Sequence, residues 1–318
     1  MSKLLPALLS LSLLALSPLA QPAVAQTSGQ NQSQGQNQSQ GQNQNRQSPP
    51  GGGATVVEEV VIEAQREQIR QTVREFVGNA TVRQGRRGQV ARFDRRVCTG
   101  VVNMRADYAQ YMNDRIARVA DAMRLRVGEP GCQPNILIIA TDDGALLSQR
   151  LIDDNPAFFR DYADLQERGN QMLGDFTRGR PPVRWWHTAE IEIDPYGMSR
   201  LRAGTRVSLN KALIIIDTSV VGTVHFGALS DYVAMVALAR LNPEADATQL
   251  DSILNLFQPG LSAEARPTGL THWDIGYLFG IYNADRNLRG NQQEAQVIFE
   301  MLTRPSPGQR DAADTLAE

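Results

Sequence analysis

The chain has 318 residues, with 34 acidic side chains against 32 basic ones and a formal net charge of -2. Its arginines are scattered and its only lysines are Lys3 and Lys211, so no basic face is available for a nucleic acid. Its three histidines, His187, His225 and His272, fall in separate segments. That excludes a metal site in which two His ligands project from one helical face.

At the N-terminus Lys3 precedes an apolar run from Leu4 to Leu19 and the small-residue site Ala23-Val24-Ala25. Together these read as a secretory signal over 1–25, cleaved before Gln26, that sends the protein to a periplasm or beyond. The run is short and carries Pro6 and Pro18, and no later stretch approaches about 18 uninterrupted apolar residues, so the mature chain is expected to contain no membrane span. Residues 26–54 repeat Gln, Asn, Ser and Gly before Pro49-Pro50-Gly51. A segment with so little to bury is expected to be a disordered tether. Residues 55–303 are expected to form one globular domain, and 304–318, with Pro305, Pro307 and Gly308, a loose tail.

Val56 to Ile62 is β-branched and predicts a strand, followed by a helix over Glu67 to Val77, where Ile69, Val73, Phe76 and Val77 recur at helical spacing. The segment Glu58 to Gln65 is also similar to the N-terminal region of some TonB-dependent receptors, but nothing later supplies a barrel. Cys98 and Cys132 are the only cysteines. In an oxidising compartment the pair predicts a disulfide closing a loop of about 35 residues. A reactive thiol, the alternative, would need a His partner. Tyr108, Met112, Ile116, Val119 and Met123 define an amphipathic helix from Asp107 that ends near Gly128. The proposed disulfide would bracket it. Ile136 to Ala140 is continuously apolar and predicts a buried central strand. Asp142-Asp143-Gly144 after it has turn composition, with two carboxylates too few for calcium.

Pro156 to Glu167 predicts a further helix. Val183 to Ile193 predicts a strand whose Ala189-Glu190-Ile191-Glu192-Ile193 alternation fits an edge. Within it Trp185 and Trp186 must point to opposite faces, which leaves two readings: one indole in the core and the other at a binding surface, or, the favoured one, both covering loops and filling the core. With His187 they form the candidate binding segment. Arg206 to Asp217 predicts another strand. A helix over Ser230 to Leu241 follows, with Ser230 as N-cap and Asp231 in its first turn. The chain continues through Asp251-Ser252-Ile253 to Leu270-Thr271-His272-Trp273-Asp274 and Ile281-Tyr282, with Thr271 as the cap of the last predicted helix. These elements predict an α/β (α+β) class domain with a mixed, twisted sheet.

Gly227 to Tyr282 resembles the second half of the zincin metallopeptidases. In that family an H-E-x-x-H helix precedes a turn beneath the metal, and a final helix is entered through a Leu-Ser/Thr-x-x-Asp segment. The resemblance implies that Asp231 and Met235 stand where the two His would be, Tyr232 where the Glu would be, and Leu241 at the third ligand of the longer motif. A Met thioether is a soft ligand unsuited to zinc, so neither a metal nor another cofactor is expected. The resemblance further implies that the strand carrying Trp185, Trp186 and His187 lies beside the cleft, where it would bind an extended peptide or an envelope partner through its main chain. The leading expectation is a non-catalytic exported binding or structural protein of the cell envelope. The alternative is a hydrolase built on His225, Asp231 and His272.

Overall fold

The computed structural model describes residues 53–84, 88–159, 168–193, 199 and 202–304. The expected signal segment, the Gln/Asn tract as far as residue 52 and the tail from residue 305 lie outside the described residues. The expected helix from Pro156 reduces to a turn over 156–159, its remainder also lying outside them.

The first described element is one long helix, α1 (Gly53–Ala80), which overturns the strand expected at Val56 to Ile62. β-branched preference is a weak prior. Here it yields to cooperative extension of a helix anchored at its other end, where Val73, Phe76, Val77 and Ala80 are buried. On the exposed side Glu63 and Glu67 pair with Arg66, Arg70 and Arg74 at 3.1 to 3.8 Å. Such pairs are worth a few tenths of a kcal/mol each, about enough to favour helix over an unpaired strand.

Two short strands, β1 (Arg83–Gln84) and β2 (Gln89–Val90), pair antiparallel. The main sheet is built from β3 (Thr99–Val102), β4 (Ile136–Thr141), β5 (Val183–Ile193) and β6 (Thr205–Asp217), in the order β3-β4-β6-β5. The first three are parallel and β5 runs antiparallel along one edge. Parallel β3 and β4 require a crossover. It is supplied by α2 (Ala106–Ala122), which ends before the expected Gly128 because Arg124 turns into the left-handed region at φ 61°. β4 leads into α3 (Gly144–Asp154), and α4 (Arg168–Thr177) precedes β5. The chain then closes with α5 (Phe226–Leu238), a 3-10 turn (Ile253–Phe257), α6 (His272–Asn283) and α7 (Gly290–Thr303).

Both faces of the sheet are covered, so its strands read as apolar runs. On one face Ile136, Ile138, Ile214, Ile216 and Trp185 join α1, α2, α5, α6 and α7 in the larger core. On the other, Leu213, Ile215 and Trp186 pack with Phe159, Met172 and Phe176.

The disulfide expected between Cys98 and Cys132 forms, with Cα atoms 6.1 Å apart. It fastens the entry of β3 to the entry of β4 and so brackets α2. Asn135 reinforces the same junction by accepting from the Cys98 amide at 2.7 Å, and the Gly128 amide donates to the Val97 carbonyl at 2.8 Å. A Cβ at Gly128 would overlap Cys132 Sγ and approach Cys98 Cβ to 3.2 Å. The double change Cys98→Ser/Cys132→Ser is expected to lower unfolding free energy by about 3 kcal/mol, measured by urea denaturation. Gly128→Val should leave two titratable thiols in part of the folded population; full oxidation of that variant would refute the crowding argument.

Candidate functional site

Helix α5 carries the residues that the family resemblance singles out, and its local structure differs from the expectation. The cap is His225, whose Nδ1 accepts from the Gly227 amide at 3.2 Å, and not Ser230. Ser230 lies a turn inside the helix and donates to the Phe226 carbonyl at 2.8 Å. Asp231 therefore sits past the first turn and has no capping role. It is 1 % exposed, and a buried carboxylate must be matched by donors. Arg115 of α2 supplies two, reaching Oδ1 through Nε and Oδ2 through Nη2 at 2.6 Å, and the Leu270 amide adds a third at 3.0 Å. Gly269 makes room for this arrangement, because a Cβ there would stand 2.8 Å from Asp231 Oδ2.

The other positions matched to zincin ligands are apolar core. Met235 and Leu241 are fully buried, and Tyr232 packs its ring 5.0 Å from Phe257 and 6.3 Å from Trp185. Among the described residues no group of three or more His, Cys, Asp or Glu side chains is placed to hold a metal ion.

Asp274 is the second organising carboxylate. Thr271 caps α6, and a reciprocal capping box forms with Asp274, the third residue of the helix. The same carboxylate accepts from Ser252 Oγ at 2.6 Å and from the Ile253 amide at 2.8 Å, so it ties α6 to the 3-10 turn. His272 stacks beside Trp273 with centroids 4.5 Å apart. No hydrogen bond links His225, Asp231 and His272: the first caps a helix, the second is consumed by Arg115 and Leu270, and the third opens α6.

Trp185 and Trp186 are 7 % and 1 % exposed, and His187 is fully buried. They do point to opposite faces, but both faces are covered, so neither indole reaches the surface. Trp185 Nε1 donates to the Leu241 carbonyl at 3.1 Å, and His187 Nε2 lies 3.3 Å from the Ala237 carbonyl. A partner at the β5 edge would meet backbone and the exposed Glu190 to Ile193 end, not these side chains. Asp142 and Asp143 form the short turn expected after β4, and Asp143 also caps α3, accepting from the Leu146 amide at 2.9 Å.

Beside the N-terminus of α5 the β6–α5 connection, the 3-10 turn and the loop before α6 line an open cavity of about 500 Å³. Its walls include Val220, Val221, Val224, Phe257 and Pro267, with His225 and Arg266 as the polar side chains of greatest reach. The residues that sequence reasoning passed over are thus Arg115 and Arg266. Arg115 had a signal, because it lies three residues after Met112 and four before Val119, on the buried face of α2. Arg266 had none, lying in a loop without periodicity.

No protein-family model matches the chain, and no curated protein and no solved structure matches it. The chemistry of the site is therefore read from its own residues.

Arg115 is 34 % exposed against 1 % for Asp231, so breaking the pair should cost unequally. Arg115→Ala leaves a buried carboxylate with one amide donor and is expected to lower stability by about 3–5 kcal/mol. Asp231→Asn leaves an arginine that can turn to water and should cost about 1–3 kcal/mol. Denaturant melts of both variants check the order, and the reverse order would show that the carboxylate is not the trapped partner.

Burial pushes the Asp274 carboxyl up from 3.8 to about 6, although its four donors pull the other way. The folded state then holds this proton more tightly than the unfolded chain, so its stabilisation is complete below about pH 4 and is lost as pH rises through about 6. His187 runs oppositely: burial, with the charge of Arg240, depresses it from 6.5 to about 3. Its contribution is complete above about pH 6.5 and lost as pH falls toward 3. Stability measured from pH 7 to pH 4 should therefore rise in the native protein relative to Asp274→Asn by about 2–3 kcal/mol. A difference that stays flat across that window would refute the assignment.

Proposed function

We infer that this chain acts without catalysis, as an exported binding or structural protein of the cell envelope with a zincin-like architecture that carries no metal ligands. The observation behind this reading is the state of Asp231: the carboxylate nearest to a catalytic position is buried and consumed by Arg115 and the Leu270 amide. A carboxylate so engaged has neither the free lone pairs nor the access that metal binding or proton transfer needs. The zincin-like part of the reading is supported by element order. The edge strand β5, the strand β6, the buried helix α5, the 3-10 turn and α6 follow one another in the order the resemblance implies, and α7 is added after them.

Export is supported by the disulfide, which persists in oxidising compartments. Among the described residues no helix is long and apolar enough to cross a membrane. The partner consistent with the fold is a peptide or envelope protein lying along the outer edge of β5, where main-chain groups can extend a sheet.

The test is the metal content and hydrolytic activity of mature protein purified from its own compartment without added metal or chelator. Far less than one equivalent of zinc or copper is expected, together with no turnover of a broad peptide and ester panel. Stoichiometric metal, or turnover abolished in a folded Asp231→Asn variant, would sink the reading.

A further inference from the structure

We propose that the cavity beside the N-terminus of α5 is a binding site for an apolar molecule that carries one carboxylate, with Arg266 as its counter-ion. This deepens the binding role inferred above by naming a ligand chemistry, and it rests on that reading.

The first observation is the cavity itself, about 500 Å³, within the size range of small-ligand sites. Val221, Val224, Phe257 and Pro267 give its walls hydrocarbon surface beside a comparable share of polar surface, so an occupant that fills it presents an apolar body to the first and a polar group to the second. The second is the polarity of what remains. Arg266 lines the cavity, no acidic residue does, and no ion pair or hydrogen bond engages its guanidinium among the described residues. Its Nε is buried without a partner. Three other arginines of the domain have a carboxylate partner: Arg115 has Asp231, Arg286 has Asp94 and Arg83 has Glu294. The nearest acidic residue in sequence, Glu264, is held by its own amide and by Ser262. A guanidinium beside hydrocarbon walls with no anion of its own is matched by an incoming carboxylate, to which it can give two parallel hydrogen bonds.

The third observation is a further donor lining the same cavity. His225 lines the cavity, and because its Nδ1 accepts from the Gly227 amide, the neutral ring carries its proton on Nε2, which remains able to donate. The ring caps a 13-residue helix whose positive dipole end adds to the field felt by an anion there. The cavity lies apart from the Arg115–Asp231 pair: neither residue lines it, so ligand binding would leave that pair intact.

The carboxylate can come from a free small acid or from the C-terminus of an apolar peptide. Calorimetric titration of the full mature protein distinguishes them, with octanoate and 4-phenylbutyrate in one arm and Ala-Ala-Val-Leu in the other, each beside its amide. Binding of at least one acid is expected, about tenfold or more tighter than its amide. Arg266→Gln, which removes no hydrogen bond within the fold, should erase that preference while leaving the melting temperature unchanged. Ala263→Trp, on the cavity wall, should weaken acid and amide alike. Preference for the peptide would assign the site to chain termini, and preference for the small acids to free ligands. Absence of binding by every probe, or equal binding of acid and amide unaffected by Arg266→Gln, would overturn the proposal. It fails separately from the non-catalytic reading, because metal or turnover would sink that reading without touching the dependence on Arg266.

Discussion

The structure depends on burying α5 from every side. Each residue from Ala228 to Leu238 is buried, so the helix has no solvated face and neighbours must close around its whole circumference. β5 and β6 form one wall, α2 a second, and the 3-10 turn with α6 the rest. Most side chains along it are apolar and satisfy this directly. The constraint acts hardest on the exceptions, because a polar group carried into such a helix has to bring its partners with it.

Asp231 is the clearest exception, and it explains features far away in the chain. Arg115 must sit on the core side of α2, Gly269 must lack a side chain, and Leu270 must direct its amide inward, all to satisfy one carboxylate. Asp274 does the same for the C-terminal half, drawing together the cap of α6 and the start of the 3-10 turn. These carboxylates hold elements in register, which is the opposite of what a reactive group needs. The same physics leaves the wall of the nearby cavity as the place where polar capacity remains unspent, at Arg266 and His225.

Covering both faces of the sheet has a parallel consequence for β5. Its first half is locked between two cores, and only the end from Glu190 to Ile193 projects, with Ile193 74 % exposed. The strand therefore joins a rigid base to a free edge. A partner that adds to this edge would do so without disturbing Trp185, Trp186 or His187, whose work is internal.

Several elements were legible from residue patterns alone. The stripe through Met112, Ile116 and Val119, the apolar runs of β4 and β6, the Thr271 cap and the Cys98–Cys132 bridge all follow from local periodicity, capping chemistry or cysteine count. The α1 strand expectation failed because local β-branched preference lost to helical cooperativity. The favoured reading of Trp185 and Trp186, both in the core, holds, and the surface alternative does not; alternation could not choose between them because it says which residues share a face and not whether that face is covered. The cap of α5 was misplaced by five residues because Ser230 has the right chemistry for a cap, while His225 became one only where the chain left β6. Sequence by itself thus determined most element types after the first helix, the bridge and the apolar seams, since these rest on neighbours a few residues apart. Tertiary structure alone decided that Asp231 belongs to Arg115 and that Arg266 faces a cavity without an anion, because such pairings depend on which distant segments the folding of the chain brings together.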